Sequence, residues 1–335
     1  MRVTFCTRYD GFLWRGGAET QAEQTAIALR QQGIEVEFFT PFSEHVGDIV
    51  HFFGLYEHYI PVAEYCRSKH IPIIVSTIFY HSIDTLSHLY RALRWVILSR
   101  VGRLPHKRFR LLHLADVLLP NSQAEAWQLR KLFNIPPEKI HVIPNGVELR
   151  FAQSDPSCFR EKYQIDTDFI LNVGRIEKRK NQLRLIEAVR SLGIPLVIIG
   201  NPASNDYYLR CNRIKDEQTF FIPHIEHTDP LLASAYAACR VFALPSLLET
   251  PGIAALEAGL SGARLVVTPI GGAREYFRDY ATYVNPRSVK SIRDSIATAW
   301  NRTHNPEQQI EHLKQFSWHN VTVQTASIYQ EVLRQ

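Results

Sequence analysis

No two of the five cysteines, Cys6, Cys66, Cys158, Cys211 and Cys239, stand close together in this 335-residue chain. That scatter excludes a zinc knuckle, a thioredoxin-type redox pair and a disulfide framework, and it fits a reducing cytosol. The fourteen histidines show no HxxxH or His–Cys grouping, so no metal site is expected. No apolar run approaches the roughly 18 residues that would span a bilayer. The opening MRVTFCT reads as a strand rather than a signal peptide. Short internal repeats and low-complexity tracts are lacking too. Acidic residues are missing from one long stretch: between Asp84 and Asp116 there are seven basic side chains and no carboxylate. The net charge of +5 arises there, and the remainder of the chain is slightly acidic. So local an excess does not describe a nucleic-acid-binding surface, and no nucleic-acid partner is expected.

What the chain does have is apolar residues, 45% of the total, enough for two domains of roughly 150 residues each. Short apolar runs alternate with helix-period segments from end to end, the pattern of parallel sheets covered by helices. In the first half, strands are expected at 3–6, 35–40, 48–53, 71–77, 116–120 and 141–144. Ser122 with Glu125 forms a capping-box signal before the next helix. In the second half, strands are expected at 169–173, 195–199, 219–222, 241–244, 264–268 and 282–284. Helices are expected there at 182–192, 231–238, 252–260, 289–300 and 321–333. Residues 150–168, polar and without period, read as a linker. The organisation that follows is two Rossmann-like domains, 1–150 and 151–320, with a terminal helix over 321–335. A ligand cleft between the two domains is the expectation.

Two glutamates carry the functional signal. Glu249 and Glu257 lie eight positions apart in ETPGIAALEAGLSG, flanking a Pro-Gly step between a strand-like and a helix-like run. One carboxylate outside a helix and one within it can grip two separated polyols. The helix N-terminus between them offers unpaired N–H groups to an anion. Polyol, phosphate, polyol outlines a nucleotide-sugar. The spacing alone also fits two glutamates on a solvated helix; the strand–Pro-Ser–Glu–helix context favours the ligand.

A second segment, ILNVGRIEKRKNQL, sends Arg175 and Lys180 from a loop at the carboxyl end of a strand, where open parallel sheets bind ligands. Two cations there suit a diphosphate leaving group; an exposed basic loop is the plainer alternative. Gly16 and Gly17, after the first strand, let the backbone pass close to a bulky anion.

These segments, with VIPNGVE from Val142 to Glu148 and TPIGGAREYF from Thr268 to Phe277, resemble the glycosyltransferases of retaining family 4. The resemblance runs over nearly the whole chain and is most specific at the glutamate pair. It implies two Rossmann-like domains facing each other across a cleft, with the last helix crossing back to the first domain. It also implies transfer of a sugar from a nucleotide-diphosphate donor to a hydroxyl acceptor, without a metal. By the same resemblance Arg175 and Lys180 hold the diphosphate, Glu249 contacts the donor sugar and Glu257 the ribose. Thr250, Pro251, Gly252 and Ile253 then lie near the phosphates, and Gly16 and Gly17 approach them from the first domain. Thr250-Pro251 stands where the family often has Gly-Phe. Family members often carry a histidine soon after the fourth strand. Here one appears only at His81, so either His81 fills that role from a shifted loop or the role is unfilled. A nucleotide-sugar epimerase of the same fold and an idle nucleotide-sugar-binding subunit are the alternatives.

Two constellations remain. Asp166-Thr167-Asp168 has the form of a metal-chelating Asp-x-Asp, but it precedes a strand instead of following one and reads as a polar turn. From Leu89 to Arg110, Leu89, Leu93, Val96, Ile97 and Val101 recur near helical spacing among arginines, with Trp95 adjacent. A basic amphipathic helix of this kind lies flat on an anionic bilayer; a core-facing helix with solvated arginines is the alternative. The first reading makes the protein a peripheral one on the inner face of a membrane, with a lipid-linked or polysaccharide acceptor.

Overall fold

The computed structural model describes residues 1–11, 16–40, 42–81, 86–101, 103, 106–250 and 252–334, apart from the side chains of Ser87, His88 and Ser99. The chain divides into two compact units, Met1–Gly146 with Phe316–Gln335, and Val147–Gln315. The expected boundaries at 150 and 320 each move four or five residues towards the N-terminus.

Unit 1 begins with β1 (Arg2–Cys6), α1 (Gly17–Gln31), β2 (Glu35–Phe38) and β3 (Ile49–Phe53). It continues with α2 (Ile60–Ser68), β4 (Ile73–Ser76), α3 (Leu86–Arg100), α4 (Arg110–Leu114), β5 (Val117–Leu119) and α5 (Gln123–Phe133). The five strands are parallel in the order β2-β1-β3-β4-β5. Every residue of β3 and β4 is buried, as for strands covered on both faces.

The sixth strand expected at 141–144 does not form. His141 N–H and Ile143 N–H do donate to the carbonyls of Leu118 and Pro120, but only one bridge results, Leu118 with Ile140. Pro120 has no N–H to return the next bond, so the ladder stops. The capping box at Ser122 is half made. Ser122 Oγ accepts from Glu125 N–H at 3.1 Å, while the Glu125 carboxylate accepts from the N–H groups of Asn121 and Phe79 at 2.9 and 2.7 Å. The cap thereby ties α5 to the segment after β4.

Unit 2 opens with α6 (Ser157–Tyr163), β6 (Ile170–Val173), α7 (Gln182–Arg190), β7 (Leu196–Ile199), α8 (Asn205–Ile214) and β8 (Thr219–Ile222). Then come α9 (Pro230–Ala238), β9 (Val241–Leu244), α10 (Ile253–Leu260), β10 (Arg264–Val267) and α11 (Ala273–Phe277). It closes with β11 (Ala281–Tyr283), α12 (Val289–Asn301) and α13 (Pro306–Lys314). Its six parallel strands run β11-β10-β9-β6-β7-β8. The expected linker is a packed part of this unit: Phe151 and Phe159 are fully buried, and α6 lies on α9. Two phenylalanines anchor a segment too polar to show a period.

A last helix, α14 (Trp318–Arg334), belongs to unit 1 and packs on α1. The Trp318 ring fills the space over Gly146, where a Cβ would stand 2.2 Å from it. Tyr329 Oη meets His51 Nδ1 at 2.6 Å, and His51 Nε2 meets Ser76 Oγ at 2.9 Å. Burial pushes the His51 pKa down to about 3, so this core imidazole is neutral.

Candidate active site

The unit 2 sheet has one topological switch point, between β6 and β9, from which the chain builds outward in opposite directions. Ligands of open α/β sheets bind beside the carboxyl ends of such strands. The two loops that leave those ends, 174–181 after β6 and 245–252 after β9, are stitched together. Leu247 N–H donates to the Arg179 carbonyl at 2.8 Å. Asn181 Nδ2 donates to the carbonyls of Pro245 and Pro286 at 2.9 and 2.7 Å. Asn181, at φ 65°, precedes α7 without capping it through its side chain, whose amide N–H groups make this cross-link instead.

Glu249 stands at the centre of the stitched loops, 5% exposed. Its Oε1 accepts from Lys180 Nζ at 2.8 Å and lies 3.4 Å from Arg179 Nη1. Burial pushes the Glu249 carboxyl up, but the Lys180 and Arg179 charges outweigh it and hold the group below the usual carboxylate range. Burial also pulls Lys180 below the usual lysine range, with Glu249 opposing. The backbone of Glu249 is fixed from the other side: its N–H donates to the Ile270 carbonyl at 3.2 Å, and it bridges Gly271. A Cβ on Gly271, where φ is +109°, would lie 1.7 Å from the Glu249 carbonyl oxygen. Gly271, the first of the paired glycines after β10, is the one that approach requires.

Gly252, at φ +90°, turns the chain into α10 directly after Glu249. The N–H groups of Ile253 and Ala254 therefore start a helix without intrahelical acceptors. Glu257 is the fifth residue of α10, one turn in. Its Oε1 meets His227 Nε2 at 2.7 Å and its Oε2 accepts from Tyr236 Oη at 2.8 Å. Glu148 Oε2 lies 3.4 Å from His227 Nδ1 and 3.2 Å from Arg150 Nε, and Arg150 also donates to the His227 carbonyl. Burial alone would lower His227, but the Glu257 hydrogen bond and the Glu257 and Glu148 charges prevail, and its pKa stands above the ordinary histidine value.

Of the site residues read from the sequence, unit 2 therefore brings Lys180, Glu249 and Gly252 together. Arg175 stays at the rim, its guanidinium 3.7 Å from Glu177. Thr250 is half-buried beside Glu249, and Pro251 lies outside the described residues. Arg179, His227, Tyr236 and Arg150 are new. The signal that could have found Arg179 and His227 is topological, since both follow the carboxyl ends of strands in this sheet.

In unit 1, Gly16 N–H donates to Glu19 Oε2 at 2.9 Å. A Cβ on Gly17 would meet no atom of the described residues within 4 Å. Arg15 lies outside the described residues. His81 is 8% exposed, with its ring 4.6 Å from that of Trp95 and both its backbone polar groups held by the Gln128 amide. Asp168 is an ion-pair partner of Arg240 at 2.7 Å, consistent with a structural turn.

The α3 helix presents two faces. Ala92 and Trp95 are buried, Trp95 among Phe79, Phe109 and Phe133. Trp95 is thus a core residue and not part of an outward face. On the other side Leu86, Leu89, Tyr90, Leu93, Ile97 and Val101 are all more than half exposed. Arg91, Arg94 and Arg100 are exposed beside them and make no ion pair among the described residues. The basic run beyond is not free of counter-charge: Arg110 pairs with Glu64 at 2.7 Å and Lys107 with Glu57 at 3.6 Å. No helix of the described residues is long and apolar enough to cross a membrane.

A family model described as Glycosyltransferase Family 4 matches residues 47–151, and one described as Glycosyl transferases group 1 matches residues 158–316. The D-inositol 3-phosphate glycosyltransferase of Corynebacterium glutamicum is 27% identical over 242 residues, 65% of this chain and 58% of that protein. Its Mycobacterium tuberculosis namesake is 29% identical over 241 residues, 65% of this chain and 49% of that protein. The chain thus spans about half the length of the curated relatives it matches. Among solved structures, Anabaena HepE in complex with UDP and glucose superposes with a TM-score of 0.76 at 19% identity, covering 99% of this chain and 100% of that one. Two family matches that between them run over most of the chain, on two parallel-sheet units, identify it: the protein belongs to the two-Rossmann-domain glycosyltransferases of the family 4 type.

Proposed function

We propose that this chain moves a sugar from a nucleotide-diphosphate donor to a hydroxyl acceptor, with retention of anomeric configuration. The observation that carries the reading is the Glu249–Lys180 pair at the switch point, next to the open N-terminus of α10. Glu249, kept ionised by two cations, accepts hydrogen bonds from donor-sugar hydroxyls. Lys180 has three N–H donors and uses one on Glu249, which leaves it able to hold a diphosphate oxygen. Arg175 and the first amides of α10 complete the anion site, where charge grows as the bond to the sugar breaks. In this reading these groups, and no metal, neutralise the diphosphate. Glu257 keeps a further lone pair on each oxygen for the ribose hydroxyls, its orientation set by His227 and Tyr236. Because Glu249 is committed to its cations, departure and attack on the same sugar face, assisted by the leaving diphosphate, are preferred to a glycosyl-enzyme intermediate. The relatives named for glycosyl transfer and the neighbour solved with UDP and glucose support a nucleotide-sugar donor.

The two glutamates are separable by experiment. Ribose is common to nucleotide and donor, whereas the sugar belongs to the donor alone. Glu257→Ala is therefore expected to weaken binding of the free nucleoside diphosphate about 10- to 150-fold, the equivalent of roughly 1.5–3 kcal/mol. Glu249→Ala is expected to leave that binding largely intact. Calorimetric titration with nucleoside diphosphates reads both, and the reverse order would exchange or remove the two roles.

For the acceptor side we propose an anionic membrane surface, with α3 as the docking element and a lipid-linked or membrane-proximal acceptor. Its support is an outward apolar stripe at helical spacing, bordered by three exposed arginines that make no ion pair among the described residues. At about 1 kcal/mol per basic residue near an anionic surface, those three give measurable, salt-sensitive adsorption. The protein is expected to sediment with anionic vesicles at low salt, less so at high salt, and not with neutral ones. Leu93→Asp with Ile97→Asp is expected to abolish this. Retention in the supernatant with anionic vesicles at low salt removes the membrane reading.

A further inference from the structure

A cavity of about 480 Å³ opens in unit 2 at the amino-terminal end of its sheet, the end opposite Glu249. Arg264, the first residue of β10, forms part of its floor. The turn 278–280 before β11 forms one wall, and the segment from Arg302 into α13 forms the other. Arg264, Arg278 and Arg302 all line it, and among the described residues none has an ion-pair partner. One carboxylate, Asp279, shares the lining. Three guanidiniums against one carboxylate leave two positive charges, the complement of a phosphate dianion.

Three further observations distinguish this pocket from an ordinary basic surface. Arg264 Nε is buried without an acceptor, while the neighbouring Arg240 is engaged by Asp168 at 2.7 Å and the Trp300 carbonyl at 2.9 Å. Gln309, fully buried, gives its amide hydrogens to the Gly259 and Ala263 carbonyls and leaves Oε1 unpartnered. Such orphans are rare in a settled wall: the Arg264 donor points to an anionic occupant, and the Gln309 oxygen, an acceptor, suits a hydroxyl of that occupant and not its phosphate. Arg278 holds φ at +43°, a strained conformation for a residue with a Cβ. Burial and the Arg240 charge also push Arg264 below its ordinary range, a deficit that an anion would relieve.

We infer that this pocket is a second ligand site, which takes a small phosphate monoester through Arg264, Arg278 and Arg302. It is distinct from the donor site and does not depend on the transfer reading. Its place in the fold gives it a route to Glu249. The turn 278–280 follows α11 directly, and α11 begins at the glycine pair that is bridged to the Glu249 backbone.

The test is calorimetric titration of the full chain with glycerol phosphate, with glycerol as the control. Glycerol phosphate is expected to bind and glycerol not. Arg302→Gln and Arg278→Gln, both exposed and so compatible with folding, are each expected to weaken binding about tenfold or more. Lys180→Ala, which disables the anion site at the other end of the sheet, is expected to leave it unchanged. Thermal unfolding of the arginine variants and of Lys180→Ala checks that the fold persists in each. No binding at millimolar concentration, or binding lost in Lys180→Ala and kept in Arg278→Gln and Arg302→Gln, overturns the inference.

Discussion

Lys180→Ala is expected to reduce sugar transfer by about 100-fold or more, on the scale of losing one group that stabilises developing charge. It is also expected to destabilise unit 2, because Glu249 is left buried with Arg179, 3.4 Å away, as its one remaining cation among the described residues. Breaking a buried pair by removing one partner costs about 3–5 kcal/mol, and Arg179 offsets part of that. The double replacement Lys180→Met with Glu249→Leu separates the two effects. An apolar pair of similar volume restores stability and should restore no transfer. Arg175→Ala, at the rim, is expected to lose a similar factor in turnover with little change in stability, since its ion pair with Glu177 is 3.7 Å long and half in water. Steady-state kinetics and denaturant unfolding of the three variants read this pattern. Near-wild-type turnover in Lys180→Ala and Arg175→Ala would discard the diphosphate assignment.

Gly271→Ala should act on the same carboxylate without touching its chemistry. The added methyl carbon would start 1.7 Å from the Glu249 carbonyl oxygen, and φ of +109° is itself strained for alanine. Backbone must yield, and the carbonyl it yields against is that of Glu249, the residue proposed to hold the donor sugar. A displacement of about 1 Å at a reacting centre is worth on the order of 100-fold in rate. The expected result is a turnover loss of that order with nucleoside diphosphate binding retained, because Glu257 hangs on α10 and not on this bridge. If Gly271→Ala has kinetics like wild type, the bridge does not position Glu249.

A strand buried on both faces reads as an uninterrupted apolar run, and β9, buried throughout, begins and ends where the sequence puts it; so does β8, an edge strand whose run is apolar although Phe220 is exposed. Helices α8 and α13 were not legible, since each buries only two residues, Tyr207 with Cys211 and Gln309 with Leu313. The pairing of Lys180 with Glu249 could be anticipated from loops that leave neighbouring strands. The His227, Tyr236 and Glu148 shell around Glu257 could not, because its members come from three elements with no shared spacing. Trp95 was misjudged for a related reason. A helix with apolar residues on two sides shows the same composition whichever side faces the core, and only the aromatic cluster around Trp95 decides it.

The return of α14 to unit 1 reverses the order in which the two units can be completed during synthesis. Residues 147–315 are contiguous and carry their own core, so the second unit to emerge from the ribosome is the first whose chain is whole. The first unit must wait. Until Trp318 and Tyr329 have been made, the seat over Gly146 is empty and His51 lacks its tyrosine partner. A nascent chain therefore carries an unfinished amino-terminal domain behind a finished one, with α1 uncovered where α14 will lie.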